Sequence, residues 1–596
     1  MCDSPSNEFL ANARRFLLAA RGSHGHWVGE LSTSALSTAT AVFTLSLYDR
    51  TCGSPGKHAK IIAGGLRWLA ETQNPDGGWG DTTLSLSNIS TTALCWAAFA
   101  IPEATDSDIS VSRAEAWLRS AAGTLDSGPL AKAIADRYGK DRTFSVPILT
   151  MLALAGRLGP DGWRLVPQLP FELAACPFRW FQWLRLPVVS YALPALIAIG
   201  HVRHFHRPTW NPISRTIRRL THARTLRKLR EIQPTTGGYL EATPLTSFVS
   251  MSLIAAGQAS GPVVAEGVRF LEESVRPDGS WPIDTNLATW VTTLAVNALG
   301  DALPEADREP IREWLLNQQY RVEHPYTHAA PGGWAWTDLS GGVPDADDTP
   351  GALLALAKLG APDDRTREAV TAGVQWLLNL QNRDGGIPTF CRGWTGLPFD
   401  RSSADLTAHT LRAWSVWREQ IPPTLRDRVD AGTQRAVHYL LRTQRADGAW
   451  APLWFGNQHS PEIENLTYGT SRVVRVAAIG ERIGFGDEWR GAILRAAEWL
   501  IANQNSDGGW GGRAGTPSSV EETALAMEGL TAIDESETRT AAIARGRDWL
   551  RIATENGTRF PVAPIGFYFA NLWYFETLYP VIDTVAALTQ LSERSP

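Results

Sequence analysis

The sequence predicts an all-α protein in which helical hairpins close into a ring, and three observations predict it. One local pattern recurs along most of the chain: a Gly or Ala, an aromatic–Leu pair, a Gln, a Gly and a Trp at fixed spacing. Between its copies lie runs with the helical period, such as residues 91–99 and 351–359, and almost no alternation of the strand kind. The copies return about every fifty to sixty residues, the length of a helix pair with its turns. Closure is preferred to an open solenoid because the copies are few and the composition is that of a compact chain.

In chain order, Phe16-Leu17 leads to Gly25 and Trp27, with Arg21 at the Gln position. The next copy is complete: Gly65, Trp68, Leu69, Gln73, Gly77 and Trp79. Residues 102–245 lack good copies, and the pattern resumes with Phe270-Leu271, Gly279 and Trp281, Val275 replacing Gln. Trp314-Leu315-Gln319 reaches Gly332 and Trp334 only after an insertion, and Trp376-Leu377-Gln381-Gly385 ends on Ile387. Tyr439-Leu440-Gln444-Gly448-Trp450 and Trp499-Leu500-Gln504-Gly508-Trp510 are good copies, and Trp549-Leu550 is a worn last one. In each, the aromatic–Leu pair ends an amphipathic helix and Asp-Gly-Gly supplies a turn with φ > 0.

At 596 residues the chain has material for two or three domains. Charged residues make up 20% and the net charge is -5, which excludes a disordered chain and gives no footprint for nucleic acid. Tryptophan is over-represented, with 25 residues against 11 Tyr and 19 Phe, as expected for packing, ligand stacking or a membrane interface. The five cysteines are scattered without a CxxC, so no disulfide framework or zinc site is expected and a reducing compartment fits. No signal peptide is expected at the Met-Cys-Asp-Ser-Pro start.

Residues 343–350 hold three carboxylates within four positions, Asp345, Asp347 and Asp348. Aspartates opening a helix are ordinarily caps or anions at the positive end of its dipole. Three crowded together repel one another, so at least one is pushed toward its protonated form and becomes a proton donor. Asp363-Asp364 is followed by Arg-Thr-Arg and is expected to form surface ion pairs. Residues 186–202 are apolar but broken by Pro187 and Pro194, and an Arg/His-rich stretch follows at 201–230. That order reads as a membrane-dipping element beside an anionic leaflet, with a buried core helix as the competing structural reading.

The Gln-Asn-Pro-Asp-Gly-Gly-Trp turns together with Pro344-Asp345-Ala346-Asp347-Asp348-Thr349 resemble the squalene-hopene cyclase family of class II triterpene cyclases. The likeness runs from Trp27 to Tyr579 and is most specific over residues 332–349 and 403–409. It implies two α/α barrels with a central apolar cavity, residues 1–30 and 285–596 forming the catalytic barrel and 31–284 an inserted barrel with a membrane-facing segment. By the resemblance Asp347 is the catalytic acid, Asp345 and Asp348 flank it, and His409 hydrogen-bonds to the cluster. It also places Trp336, Trp290, Phe390 and Trp454 in the cavity as substrate-binding aromatics. Phe567 and Tyr568 resemble its C-terminal aromatics, with the register slipping by one residue beyond Ala570. The implied substrate is a linear isoprenoid, squalene by default, with no cofactor, metal or nucleic acid. The implied location is the cytoplasmic side of a membrane, bound peripherally, and a homodimer is left open.

The chemistry suits these residue types. Protonating an unactivated alkene needs a neutral, desolvated carboxylic acid whose anion is stabilised, and a protonated His409 would serve that end. Aromatic faces stabilise the carbocations that follow without being alkylated. Val291 after Trp290, Ile387, the 237–244 loop and residues 390–401 depart from the family pattern and bear on product identity. A hydroxylated or epoxidised squalene, a shorter isoprenoid, and a non-catalytic isoprenoid-binding toroid stand as alternatives.

Overall fold

The computed structural model describes residues 5–594 apart from 55, 105–107, 140–141, 178–179, 181–182, 185–190, 326, 390–399, 483 and 568–570. The protein is all-α, with strands of only two or three residues. Three kinds of bond close the repeat turn. The Trp indole donates back to the repeat Leu carbonyl, as from Trp79 to Leu69 (2.8 Å), Trp450 to Leu440 (2.8 Å) and Trp510 to Leu500 (2.7 Å). The Gln amide donates twice, to the Gly carbonyl of its own turn and to a carbonyl of the following outer helix, as from Gln381 to Gly385 (2.7 Å) and Gly432 (2.9 Å). A buried Thr of the next inner helix accepts the Trp N–H, as Thr92 does for Trp79 (2.9 Å) and Thr523 for Trp510 (2.9 Å). The turn glycine must be left-handed: Gly77, Gly385 and Gly508 have φ of 92°, 93° and 95°.

Residues 102–245 do hold a copy, contrary to the sequence reading. Gln233 donates to Gly237 and Val263 (both 3.1 Å), and Tyr239 replaces Trp, its hydroxyl donating to the Leu229 carbonyl (2.9 Å). A Lys at 228 and a Tyr at 239 hide the pattern, yet both substitutes keep the geometry.

Two rings of inner helices close on themselves. In the first, Ala35–Thr51, Ile89–Ala98, Ser145–Leu154, Leu193–His206 and Thr243–Leu253 each pack on the next, and the last returns to the first. In the second the order is Ala288–Leu299, Asp348–Leu356, Ala404–Trp417, Leu466–Val474, Val520–Thr531 and Tyr579–Arg594, again closing on the first member. The amphipathic repeat helices pack outside these rings. The N-terminal helix Pro5–Ala19 lies against Tyr579–Arg594, with Asn12 donating to the Asn556 carbonyl (3.1 Å) and Arg14 to Thr589 (3.0 Å).

The ring corrects the expectation of a membrane-dipping element at residues 186–202. Leu193 to Val202 are buried within the inner helix Leu193–His206, whose neighbours cover it. Residues 186–190 lie outside the described residues. Hydropathy alone does not separate a buried ring helix from a membrane element, and here closure decides. Among the described residues no helix is long and apolar enough to cross a membrane. Asp363 caps the helix Asp364–Leu380 through Thr366 N–H (2.7 Å), and Asp364 pairs with Arg367 (3.0 Å), as expected of surface ion pairs.

Replacing Gln381 with Leu strands two buried carbonyls, and the denaturant midpoint is expected to fall by the equivalent of roughly 2–4 kcal/mol. An unchanged midpoint would mean that the Trp contacts alone hold the turn.

Candidate active site

The segment between Trp334 and the next inner helix carries the acid cluster. Asp345 N–H donates to the Trp334 carbonyl (3.1 Å), and the Asp345 Oδ1 accepts the N–H groups of Asp347 and Asp348 (2.8 Å each). Asp345 therefore caps the helix Asp348–Leu356, so the ordinary capping role and the cluster coexist. Asp345 and Asp348 are each 3% exposed and Asp347 is half-buried, and all three line the cavity.

The three acids titrate apart. Burial pushes Asp345 up to about 6, opposed by hydrogen bonds from the Asp348 side chain and two backbone N–H groups, so it is the ionised member at neutral pH. Asp348 is held well above the usual carboxylate range by burial and by the Asp345 charge. Asp347 is also raised well above that range, by burial first and then by the charges of Asp345 and Asp405, with Arg472 opposing. The least buried of the three, Asp347, is thus an uncharged carboxylic acid at a helix N-terminus, where the dipole favours its anion once formed.

His409, on the helix Ala404–Trp417, is buried beside the cluster, its ring 6.3 Å from that of Trp290. Burial and the guanidiniums of Arg412, Arg472 and Arg475 push it well below its ordinary range, against the pull of the Asp347 carbonyl. The expected protonated His409 is therefore corrected: the imidazole is neutral. No local sequence signal gives this, because the three arginines come from two different helices.

A cavity of about 310 Å³ lies between the two rings, lined by Leu94, Ile148 and Phe248 from the first and by Trp290, Asp347 and Tyr579 from the second. Trp336 and Trp454 line it as well, so three of the expected cavity aromatics are in place. Phe390 and Tyr568 lie outside the described residues, as does the side chain of Phe567, whose backbone pairs with Phe455. The sequence reading missed Tyr574 and Tyr579. Trp290 Nε1 donates to the Tyr579 hydroxyl (3.0 Å), which is 3.2 Å from that of Tyr574. A signal existed: the cavity residues cluster at the N-terminal ends of inner helices, and Tyr579 opens the last of these.

The divergent loop also shapes the cavity, through Leu240, Ala242 and Pro244. Leu240 and Glu241 adopt φ of 56° and 55°, a left-handed pair that costs about 1–2 kcal/mol per residue. Bonds to the buried Glu241 carboxylate from Gly341 N–H and the Thr236 hydroxyl (2.7 Å each) hold it there.

These shifts set a pH dependence of stability. Glu522, Glu576 and Asp583 are pushed up to about 7 and Asp345 to about 6, mainly by burial, so the folded chain gains protons before the unfolded one as pH falls. Stability rises from pH 8 downward. Buried His201 and His324, lowered to about 3 and about 4, take up protons only on unfolding, which offsets part of that gain below their unfolded value of 6.5. A thermal midpoint higher at about pH 6 than at pH 8 is expected, since four raised carboxyls outweigh two lowered imidazoles, and a midpoint that rises steadily to pH 8 would contradict these assignments.

Comparison with known proteins agrees with this geometry. Residues 10–224 match the squalene-hopene cyclase N-terminal domain and residues 286–560 the squalene-hopene cyclase C-terminal domain. Enfumafungin synthase of Hormonema carpetanum is 25% identical over 95% of this chain, which spans about half (47%) of that protein's length. The squalene–hopene cyclase of Alicyclobacillus acidocaldarius is 26% identical over 78% of this chain and 77% of its own. Among solved structures, ent-copalyl diphosphate synthase from Streptomyces platensis superposes with a TM-score of 0.59 at 19% identity, covering 98% of this chain and 99% of that one. The chain with its two closed helix rings and Asp345-Ala346-Asp347-Asp348 cluster belongs to the squalene-hopene cyclase family, a family of class II terpene cyclases.

Proposed function

We propose that the protein protonates the terminal double bond of a linear polyprenoid, squalene by preference, and lets the resulting cation close into a polycyclic, hopene-like triterpene. The observation that carries this reading is an uncharged carboxylic acid, Asp347, opening on an apolar cavity walled by Trp290, Trp336 and Trp454. The Asp347 O–H bond breaks, the alkene π pair forms the new C–H bond, and the bond's electrons stay on the carboxylate. A tertiary cation results. Each following double bond supplies its π pair to the cation before it, and the tryptophan faces stabilise the charge in transit. Loss of a proton from the last cation, or capture of water followed by loss of a proton, ends the sequence and lets Asp347 be reprotonated. Exclusion of water by the cavity wall delays that capture.

Residues 1–30 and 285–596 are proposed as the catalytic barrel and 31–284 as the inserted one. The packing of Pro5–Ala19 against Tyr579–Arg594 supports this. Peripheral membrane binding is moved from residues 186–202 to the outer helix Pro212–Glu231. There Ile213 (70% exposed), Ile217 (45%) and Leu220 (77%) recur at helical spacing next to Trp210 (92%). Arginines flank this face, as a segment lying on an anionic leaflet requires.

Purified protein incubated in detergent with squalene, without added metal, is expected to give an isomer of squalene or its hydrate, and Asp347→Asn is expected to give none while remaining folded. Product from Asp347→Asn would remove the acid assignment. His409→Phe is expected to lower kcat by at least tenfold with little change in KM, and a pure KM effect would mark His409 as a wall residue. Serine at positions 210, 213, 217 and 220 together is expected to abolish flotation with vesicles containing anionic lipid. Continued flotation would reject that face.

A further inference from the structure

The loop at 237–244, where the chain departs from the family pattern, is fastened to the segment before Trp290. Thr243 N–H donates to the Ile283 carbonyl (3.1 Å) and Thr285 N–H to the Glu241 carbonyl (3.2 Å). These two bonds flank an antiparallel bridge between Ala242 and Asp284. Residues opposite each other in such a bridge send their side chains to the same face, and closely when the bonds lie on either side of them. Ala242 and Asp284 both line the cavity, so that face is the cavity wall. Glu241, next to Ala242, is turned away, and its carboxylate takes the Gly341 N–H and the Thr236 hydroxyl.

Asp284 differs from the other carboxyls of the cavity. Asp81 accepts bonds from the Thr91 hydroxyl, the Asn88 amide (2.9 Å) and Trp573 N–H (2.8 Å). Asp345 is the helix cap, and Asp347 and Asp348 belong to the acid cluster with it. The Thr285 N–H and the Trp336 side chain approach the Asp284 carboxyl, but its buried Oδ1 has no hydrogen-bond partner among the described residues. Burial, and then the Glu241 charge, hold the group well above the usual carboxylate range. Near neutral pH it therefore carries an O–H to donate as well as oxygen to accept.

An unpaired polar atom in an apolar wall costs free energy, and a hydrocarbon ligand cannot relieve it. A hydroxyl can, because it is donor and acceptor at once. Ala242 opposite, with only a methyl side chain, leaves room for one beside the carboxyl. An anionic head group such as a diphosphate has no such match, since among the described residues no Lys or Arg lines the cavity.

We propose that Asp284 is a specificity-determining residue that binds a hydroxyl group on the ligand, and that the cavity therefore takes polyprenoid alcohols as well as the hydrocarbon. This rests on the reading of the cavity as an isoprenoid site and adds a second substrate class to it. The hydroxyl pairs with the Asp284 carboxyl while the chain lies against Trp290 and Trp336, in the same cavity as Asp347.

The test uses two saturated probes, farnesane and hexahydrofarnesol. They share the isoprenoid skeleton, differ in one hydroxyl and have no double bond to protonate, so neither is consumed. Their affinities for the full-length protein in detergent are measured by equilibrium gel filtration, and the ratio of alcohol to alkane affinity is compared between variants. That ratio is expected to fall about three- to tenfold in Asp284→Leu. In Asp284→Asn, whose amide still donates and accepts, it is expected to stay within about twofold of the unaltered protein. Should Asp284→Leu not fold, Asp284→Ala carries the same expectation. An unchanged ratio in the folded apolar variant overturns the proposal, as does an Asn variant that behaves like Leu. Failure of both probes to bind the unaltered protein would instead overturn the reading of the cavity as an isoprenoid site, and this proposal with it.

Discussion

In the proposed reaction a carboxylic acid has to remain uncharged in an apolar cavity and yet surrender its proton to a carbon–carbon double bond, and much of this structure suits that constraint. Burial alone gives the first half, since it disfavours the Asp347 anion, but it also makes the acid weaker. The second half needs an environment that favours the anion only when it forms. The helix N-terminus at Asp347 is of that kind, because it is fixed before the reaction and does not reorganise during it. Asp345 and Asp348 settle the local geometry, one as the ionised cap and the other as a buried acid bonded to it.

The repeat turns place this chemistry. Each fastens the end of one outer helix to the start of the next inner helix through a Trp, a Gln and a Thr, so the inner-helix N-termini are held at defined positions. Those of helices Ala288–Leu299, Asp348–Leu356 and Tyr579–Arg594 reach the cavity. The turn built on Trp334 follows the same plan, with Thr349 accepting the Trp334 N–H (3.0 Å), and the segment after Trp334 carries the three aspartates to the cavity edge. A stability device repeated along the chain has here become a device for positioning an acid.

The local parts of this arrangement were legible in the sequence. The Gln, Gly and Trp of each turn bond within about ten residues or to the adjoining helix, so their spacing reports the geometry. The family likeness correctly placed Trp290, Trp336 and Trp454 around the cavity. What escaped depends on long-range contacts or on substitutions that keep geometry while changing letters. Tyr239 serves as a repeat Trp, and residues 193–202 are apolar because a ring encloses them. The lowered proton affinity of His409 comes first from burial and then from Arg412 on its own helix and Arg472 and Arg475 from another, and the Trp290–Tyr579 bond spans nearly half the chain.

The central claim is that Asp347 delivers a solvent-exchangeable proton to the terminal alkene. The most direct measurement is cyclisation of squalene in deuterium oxide, followed by mass and NMR analysis of the product. One deuterium per molecule, located in the ring methylene next to the gem-dimethyl carbon of the first-formed ring, is the predicted result. A cyclised product carrying no solvent deuterium at that position would contradict the account.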